Sequence, residues 1–366
     1  MSNLNPDDLL PLEQMLKDKS VSTKDFPARS NEYYNKYWSL KTYLARNLYK
    51  WTGAGTSAED NGVYTDHSID HFNAVIDYAG KLLISDYPFQ LNPYELFILL
   101  CAILLHDAGN AEGRREHEKK PFKILKDAGN SIISDKFEAR MIALIASAHG
   151  GKIKDPDTGQ HTSQDTISTL LEKTTNGNIE YRPKMIAAIV KFADEICEDR
   201  NRAASYLLRY SQLPNFSELY HIYASSITSA DIDHLSRTIR IVFEISIEEV
   251  LKKYQIDKAN TGSKYLIDEI MSRLEKMFLE LLYCKRFFYE IIQIDKIRAT
   301  VTLYDDDMNV LETTSFELME QGYPTKQITL SQKAPHWVGS ELAKRITQGV
   351  ETVSYTHLTL PTKRIV

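Results

Sequence analysis

Leu104-Leu105-His106-Asp107-Ala108-Gly109 decides how this chain is read, because a histidine and an aspartate stand side by side at the end of ten apolar residues, Leu96 to Leu105. Asn92, Pro93 and Glu95 open that run as N-cap, first helical residue and capping-box partner. The pattern predicts a helix that is apolar on every side and lies at the centre of a domain. Buried charges are paired or bound to a metal, since an uncompensated one costs several kcal/mol (roughly). An aspartate at the end of such a helix therefore calls for a cation.

Outward from this dipeptide, the same residue types recur at helical positions. His71 shares a stripe with Ala74, Val75, Tyr78 and Leu82, and Asp194 lies on the stripe Ile186, Ile189, Val190, Ala193 and Cys197 of a helix that Pro183 starts. His149 is expected to end a helix begun at Asp135, with Glu138 at its third position and Gly150 following as the left-handed cap residue. His117 falls in the polar stretch Arg114 to Lys120. One histidine on an apolar stripe is ordinarily a hydrogen-bonded core residue, and one aspartate at a helix end is ordinarily a cap. Independent core residues have no reason to include a His-Asp dipeptide flanked by an earlier His and a later Asp. Imidazole favours Zn, Fe, Ni or Co, and carboxylate favours Mn or Mg, so the mixture suits a divalent ion and the chain reads as a metal-dependent hydrolase.

His71 with Val75 and Ala79, the segment Leu104 to Gly109, and Lys191-Phe-Ala-Asp-Glu195 together resemble the landmarks of the HD-domain phosphohydrolase superfamily, over roughly residues 60–205. That resemblance implies a helical bundle in which His71, His106, Asp107 and Asp194 hold a first metal with Asp107 bridging. His117 and His149 match the two further histidines that hold a second metal in binuclear members. Two divalent ions are thus implied, of Mn, Fe, Mg, Co, Ni or Zn. His67 stands four residues before His71, so both rings are expected on one helix face, and His67-Ser-Ile-Asp-His71 resembles the motif of cyclic nucleotide phosphodiesterases in which the first histidine is a general acid. No GYP signature follows His117, no Glu-Asp pair follows His106 and Asp107 as in alarmone hydrolases, and Asn110 stands where deoxynucleotide triphosphohydrolases carry a third histidine.

Two ions about 3.5–4 Å apart activate a shared water towards a phosphoryl group. The expected activity is hydrolysis of a phosphoester in a nucleotide or nucleotide-like, including cyclic, small molecule, with Asp107 and His67 as the catalytic pair. Arg114, Arg115, Lys119, Arg200 and Arg202 are candidate phosphate clamps, since guanidinium forks match phosphate oxygens, although each also reads as part of a solvated face. The competing function is a non-catalytic module that senses a nucleotide and signals through its C-terminal part; retention of all six ligand candidates favours catalysis.

A formal net charge of -6 argues against a general DNA binder, which would show a basic face. The three cysteines are too widely spaced for a disulfide framework or a Cys-based zinc site. Ten apolar residues fall short of the ~20 that span a bilayer, and the acidic N-terminus has no leader-like apolar core, so a cytoplasmic protein without a membrane segment is expected.

The fold class expected is mainly α: an HD-type bundle over 30–213 and a smaller α+β subdomain over 214–351, after a loosely held polar segment 1–29. Residues 31–51 read as a helix, 52–64 as a loop, and 152–166 as turns interrupting the bundle. Thr238-Ile-Arg-Ile-Val-Phe-Glu-Ile-Ser246 alternates as a strand, 297–316 reads as a hairpin, and 258–289 as one long amphipathic helix. The subdomain carries no recognisable chemistry; oligomerisation, gating of the substrate or sensing of an effector are its candidate roles, so a homo-oligomer stays open. Residues 352–366 resemble a tail produced when a sequencing adapter is translated. On that reading His357 is no ligand and the native chain continues past Glu351.

Overall fold

A computed structural model describes residues 5–56, 62–85, 88–129, 132–322 and 329–356. Its fold is mainly α with an α+β C-terminal part. The central helix is Pro93–Leu105, capped as its sequence requires: Asn92 Oδ1 accepts from the Glu95 amide at 2.9 Å and the Glu95 carboxylate accepts from the Asn92 amide at 3.1 Å. Every residue from Tyr94 to Leu105 is buried. Counted to Glu112, this segment is apolar and long enough to cross a bilayer by composition alone; with 89% of it inside the fold, it is a core helix.

Helices Tyr33–Asn47, Ile69–Leu83, Lys136–Ser147 and Pro183–Glu195 pack around it. So does Pro11–Lys19, which corrects the expectation of a loose N-terminal segment. Leu12, Leu16 and Phe26 are fully buried, and Glu13 accepts from Lys41 Nζ at 2.6 Å and from Tyr37 Oη at 2.5 Å. The segment looked polar because its apolar residues are few, yet Leu12 and Leu16, with Glu13, share the buried face of the nine-residue helix, and Phe26 follows in the turn beyond it.

The turn-rich interruption of the bundle is longer than expected. Ile153–Lys154 pairs with His161–Ser163, and a second hairpin joins Thr174–Asn176 to Ile179–Tyr181. Asn176-Gly177, with Gly177 at φ +58°, is the hairpin signal that marks the second one.

In the C-terminal part, four strands lie in the order Val310–Met319, Lys296–Tyr304, Thr238–Ser246, Ile227–Asp233. The two inner strands are parallel and in register from Thr238 opposite Lys296 to Ser246 opposite Tyr304. Parallel neighbours need a crossover, and helix Leu266–Phe288 supplies it. Ile239, Ile241, Phe243 and Ile245, with Ile297, Ala299, Val301 and Leu303, form the buried face. The expected hairpin is present, turned by Asp305, whose carboxylate accepts from the Asp307 and Asn309 amides. The crossover helix starts at Leu266, not at 258, because Ser263–Tyr265 is drawn into a ladder with Lys253–Gln255.

That helix packs closely on Pro183–Glu195, and one hydrophobic cluster runs from Leu12 to Leu342. The helical and α+β parts thus share a core across residues 213 and 214. The last helix, Gly339–Thr356, includes the first residues of the adapter-like tail; 357–366, with His357, lie outside the described residues.

Candidate metal centre

Each candidate ligand sits at a helix end or in the turn beyond it, where side chains from different helices converge. His71 occupies the first turn of Ile69–Leu83, after the N-cap Ser68, whose Oγ accepts from the Asp70 amide. His106 is the C-cap of the central helix, and Asp107 follows with φ -109° and ψ 3° in the bridge region that active-site residues often occupy. Asp194 is next to last in Pro183–Glu195. His117 opens the short 3-10 turn His117–Lys119.

His149 lies two residues past Lys136–Ser147, just beyond the C-cap Ala148, instead of ending the helix itself as expected. The left-handed glycine is Gly151 (φ +79°), not Gly150; a Cβ at Gly151 would also collide with Glu118. Gly109 has its own steric reason, because a Cβ there would strike the His117 carbonyl. The small residue after the His-Asp pair is what lets the His117 turn close over Asp107.

Three imidazoles are aimed by one repeated device. Nδ1 of His106, His117 and His149 hydrogen-bonds the carbonyl three residues earlier, on Ile103 (2.7 Å), Arg114 (2.8 Å) and Ala146 (2.6 Å). A carbonyl only accepts, so Nδ1 carries a proton, and whenever the ring is neutral Nε2 is the lone pair that faces inwards. His67 does likewise on the Thr65 carbonyl at 2.8 Å.

The inward atoms form two groups. In one, Asp194 Oδ1 lies 3.3 Å from His71 Nε2 and 3.5 Å from His106 Nε2. In the other, Asp107 Oδ1 lies 3.0 Å from His117 Nε2 and 3.3 Å from His149 Nε2, which are 3.3 Å from each other. Asp107 Oδ2 faces the opposite way, 4.0 Å from His106 Nε2 and 3.7 Å from His67 Nε2. Within each group the ligand atoms lie inside 4.8 Å of one another. Donors bound ~2.1 Å from a common ion sit roughly 3.0–3.4 Å apart, so these spacings fit one ion per group.

Electrostatics agree with the geometry. Among the described residues, His71 Nε2 and His106 Nε2 are buried with no hydrogen-bond partner, an arrangement a ligated ion would relieve. Burial alone would raise the carboxyls of Asp107 and Asp194, but His106 and the adjoining imidazoles hold both well below the usual carboxylate range. Burial opposes protonation of His106, yet the two aspartates push it up to about 9. The site is built to surround positive charge.

His67 departs from expectation in its position. Ser68 caps the helix, so His67 lies before it and does not share a helical face with His71. Its amide instead donates to the Thr52 carbonyl at 2.8 Å, and the two rings are still 5.3 Å apart. Burial, then the Arg202 charge, bring His67 down to about 3, so it is neutral at physiological pH.

The candidate clamps separate by location. Arg114 and Arg202 line a cavity of about 270 Å³ beside His67, with Glu198, Tyr220, Tyr223 and Arg273. Arg115 is exposed, Lys119 is exposed and ion-paired with Glu116, and Arg200 reaches the Ser225 carbonyl; none of the three lines that cavity. Sequence reasoning passed over Arg273, which on an amphipathic helix reads as an ordinary surface cation. It also missed the bracing of His149 by Lys191, whose Nζ donates to the His149 carbonyl at 2.9 Å and pairs with Glu280 at 3.3 Å.

A family model described as HD-CE matches residues 62–276, more than half of the chain, and so takes in the first two long strands and Arg273 besides the six ligand candidates. Neither a curated protein nor a solved structure matches the chain.

Proposed function

The chain belongs to the HD-CE family, an HD-type domain, and on that premise we propose that it is a metal-dependent phosphohydrolase acting on a phosphoester of a nucleotide or nucleotide-like small molecule. One observation carries the reading: the two oxygens of Asp107 face two separate donor groups, so a single carboxylate adjoins both. His71, His106 and Asp194 would hold one divalent ion, and His117 and His149 a second, with Asp107 between them. Bound there, such ions supply Lewis-acid polarisation of a phosphoryl oxygen and lower the pKa of a water.

The chain's own groups do the rest. Asp107 stays ionised, because its carboxyl lies far below neutral pH. The Nδ1 hydrogen bonds of His106, His117 and His149 fix ring orientation before any ligand arrives, so little reorganisation remains for the reaction. Burial of His71 and His106 keeps bulk water from one side of the site. Neutral His67 presents Nε2 as a proton acceptor beside Asp107; it serves as an acid only for a proton first taken up at that atom.

The test is a screen of purified, metal-reconstituted protein against nucleotides and cyclic nucleotides, with Asp107→Ala alongside. Turnover lost in that variant is expected. Turnover equal to wild type would end the enzyme reading, and binding without turnover of any substrate would favour a sensing module.

A further inference from the structure

The cavity beside His67 has two chemically distinct ends. Its metal-side end is bounded by Tyr64 and Thr65; the Tyr64 ring is 6.2 Å from the His67 ring, and Thr65 holds His67 Nδ1. The Arg114 guanidinium lies 5.6 Å over Tyr64, and the Arg202 carbonyl accepts from the amide of Asp66, next to His67, at 2.9 Å. Among the described residues neither arginine forms an ion pair within 4 Å of a carboxylate; Arg202 donates from one terminal nitrogen to the Cys197 carbonyl at 3.3 Å and feels the nearby Glu198 charge, while its Nε is buried with no hydrogen bond. A buried guanidinium donor without a partner is costly, and an anion would satisfy it.

The far end belongs to the C-terminal layer. Arg273, on the crossover helix, lies 4.2 Å from the Tyr223 ring and 5.7 Å from the Tyr220 ring. It is already paired, with Glu269 at 2.7 Å and Glu198 at 3.8 Å, while Tyr223 Oη donates to Glu198 at 3.0 Å. Arg273 thus holds an aromatic wall in place and is less available to bind an anion itself. Tyr220 is 38% exposed, so part of its ring is open to a ligand.

We infer that this cavity receives one mononucleotide unit of the substrate, its phosphate between Arg114 and Arg202 at the His67 wall and its base against Tyr220, with Arg273 as the positioning residue of that aromatic wall. The inference rests on the phosphohydrolase reading for which end of the ligand faces the metal centre. Charge and shape argue for this class: two guanidinium groups without an ion-pair partner, one of them with an unsatisfied buried Nε, select an anion, and an aromatic surface selects a planar ring. A volume of about 270 Å³ lies just below the usual range of small-molecule sites, roughly 300–1,000 Å³, so it takes no more than one nucleotide and excludes a fully enclosed dinucleotide. It also gives the α+β part a task, since its helices supply Tyr220, Tyr223, Ala224 and Arg273 to the cavity wall.

The experiment is calorimetric titration of the full chain, stripped of metal so that no turnover intervenes, with AMP, GMP, CMP and UMP, and with adenosine and inorganic phosphate as controls. At least one mononucleotide is expected to bind ten times more tightly than its nucleoside and than phosphate. Tyr220→Ala and Arg114→Gln, both at exposed positions that leave the core intact, should each weaken it about tenfold. Equal binding of mononucleotide, nucleoside and phosphate would overturn the inference, as would affinity unchanged in both variants. The two readings fail separately. Nucleotide binding with these losses, but no hydrolysis by metal-loaded protein, keeps the cavity assignment and ends the enzyme reading; hydrolysis with an unchanged KM in both variants does the reverse.

Discussion

Asp107→Asn is the substitution that most directly probes a shared carboxylate. The amide keeps the shape of the side chain but has one oxygen, and its NH₂ group offers no lone pair to a metal. Oδ1 stands 3.0 and 3.3 Å from His117 and His149, while Oδ2 faces His67 and His106 at 3.7 and 4.0 Å. Whichever way the amide turns, one donor group loses its oxygen. Metal content should therefore fall from about two ions per chain to about one, and hydrolysis by at least a thousandfold, about 4 kcal/mol of transition-state stabilisation.

Stability carries an independent signature. An ion that binds only the folded state stabilises it by about 4 kcal/mol at a concentration a thousand times its Kd, so losing one site should remove about that much of the metal-dependent shift, several degrees in melting temperature. In chelator the variant should differ little from wild type. The hydrogen bonds lost from His117 and His149, about 1–3 kcal/mol, are offset by no longer burying a charge. Metal analysis and thermal denaturation with and without metal provide the assay. Two ions per chain in Asp107→Asn, with the full metal-dependent shift, would refute the bridging geometry.

Further outcomes test other parts of the molecule. His117→Ala should lose one ion and leave the His71, His106 and Asp194 group loaded; unchanged metal content would return His117 to the surface. Glu13→Ala strands Lys41 in the core and should destabilise the fold by about 3–5 kcal/mol in urea titrations, whereas a neutral result would mean that Pro11–Lys19 is not docked. His221 is held below its ordinary pKa by burial, although donation from Nε2 to the Val63 carbonyl pulls the other way. The unfolded chain thus takes up that proton first. Stability of the metal-free protein should be present above about pH 6.5 and decline as pH falls below it, and His221→Asn should flatten part of this slope. An identical pH profile in that variant would rule His221 out as a source of the decline.

Much of the local structure was legible in the residues alone. The Asn92, Pro93 and Glu95 cap, the Asp135 cap and the alternation of Thr238 to Ser246 each encode an element through contacts within a few positions. The metal-ligand candidates were legible for a related reason: a charged or imidazole side chain on an otherwise apolar stripe conflicts with its surroundings, and the conflict can be seen without coordinates. Readings that depended on distant partners went astray. Pro11–Lys19 looked loose because its burial requires the face of a helix about thirty residues away, and residues 258–265 looked helical because the competing ladder comes from Lys253–Gln255.

What the sequence by itself determined is therefore which segments form helices and strands, which faces they bury, and which His and Asp residues could hold a cation. Only the tertiary structure decided how those residues meet: that Asp107 turns one oxygen to each group, that His67 reaches the site from outside the helix, and that Arg114, Arg202 and Arg273 come from three separate elements to one cavity. The physical reason is that a period of 3.6 or 2 residues records only whether a side chain faces inwards or outwards. An arginine on a polar face has the same signature whether it meets solvent or the wall of a binding site, and docking of the crossover helix onto Pro183–Glu195 is what separates the two.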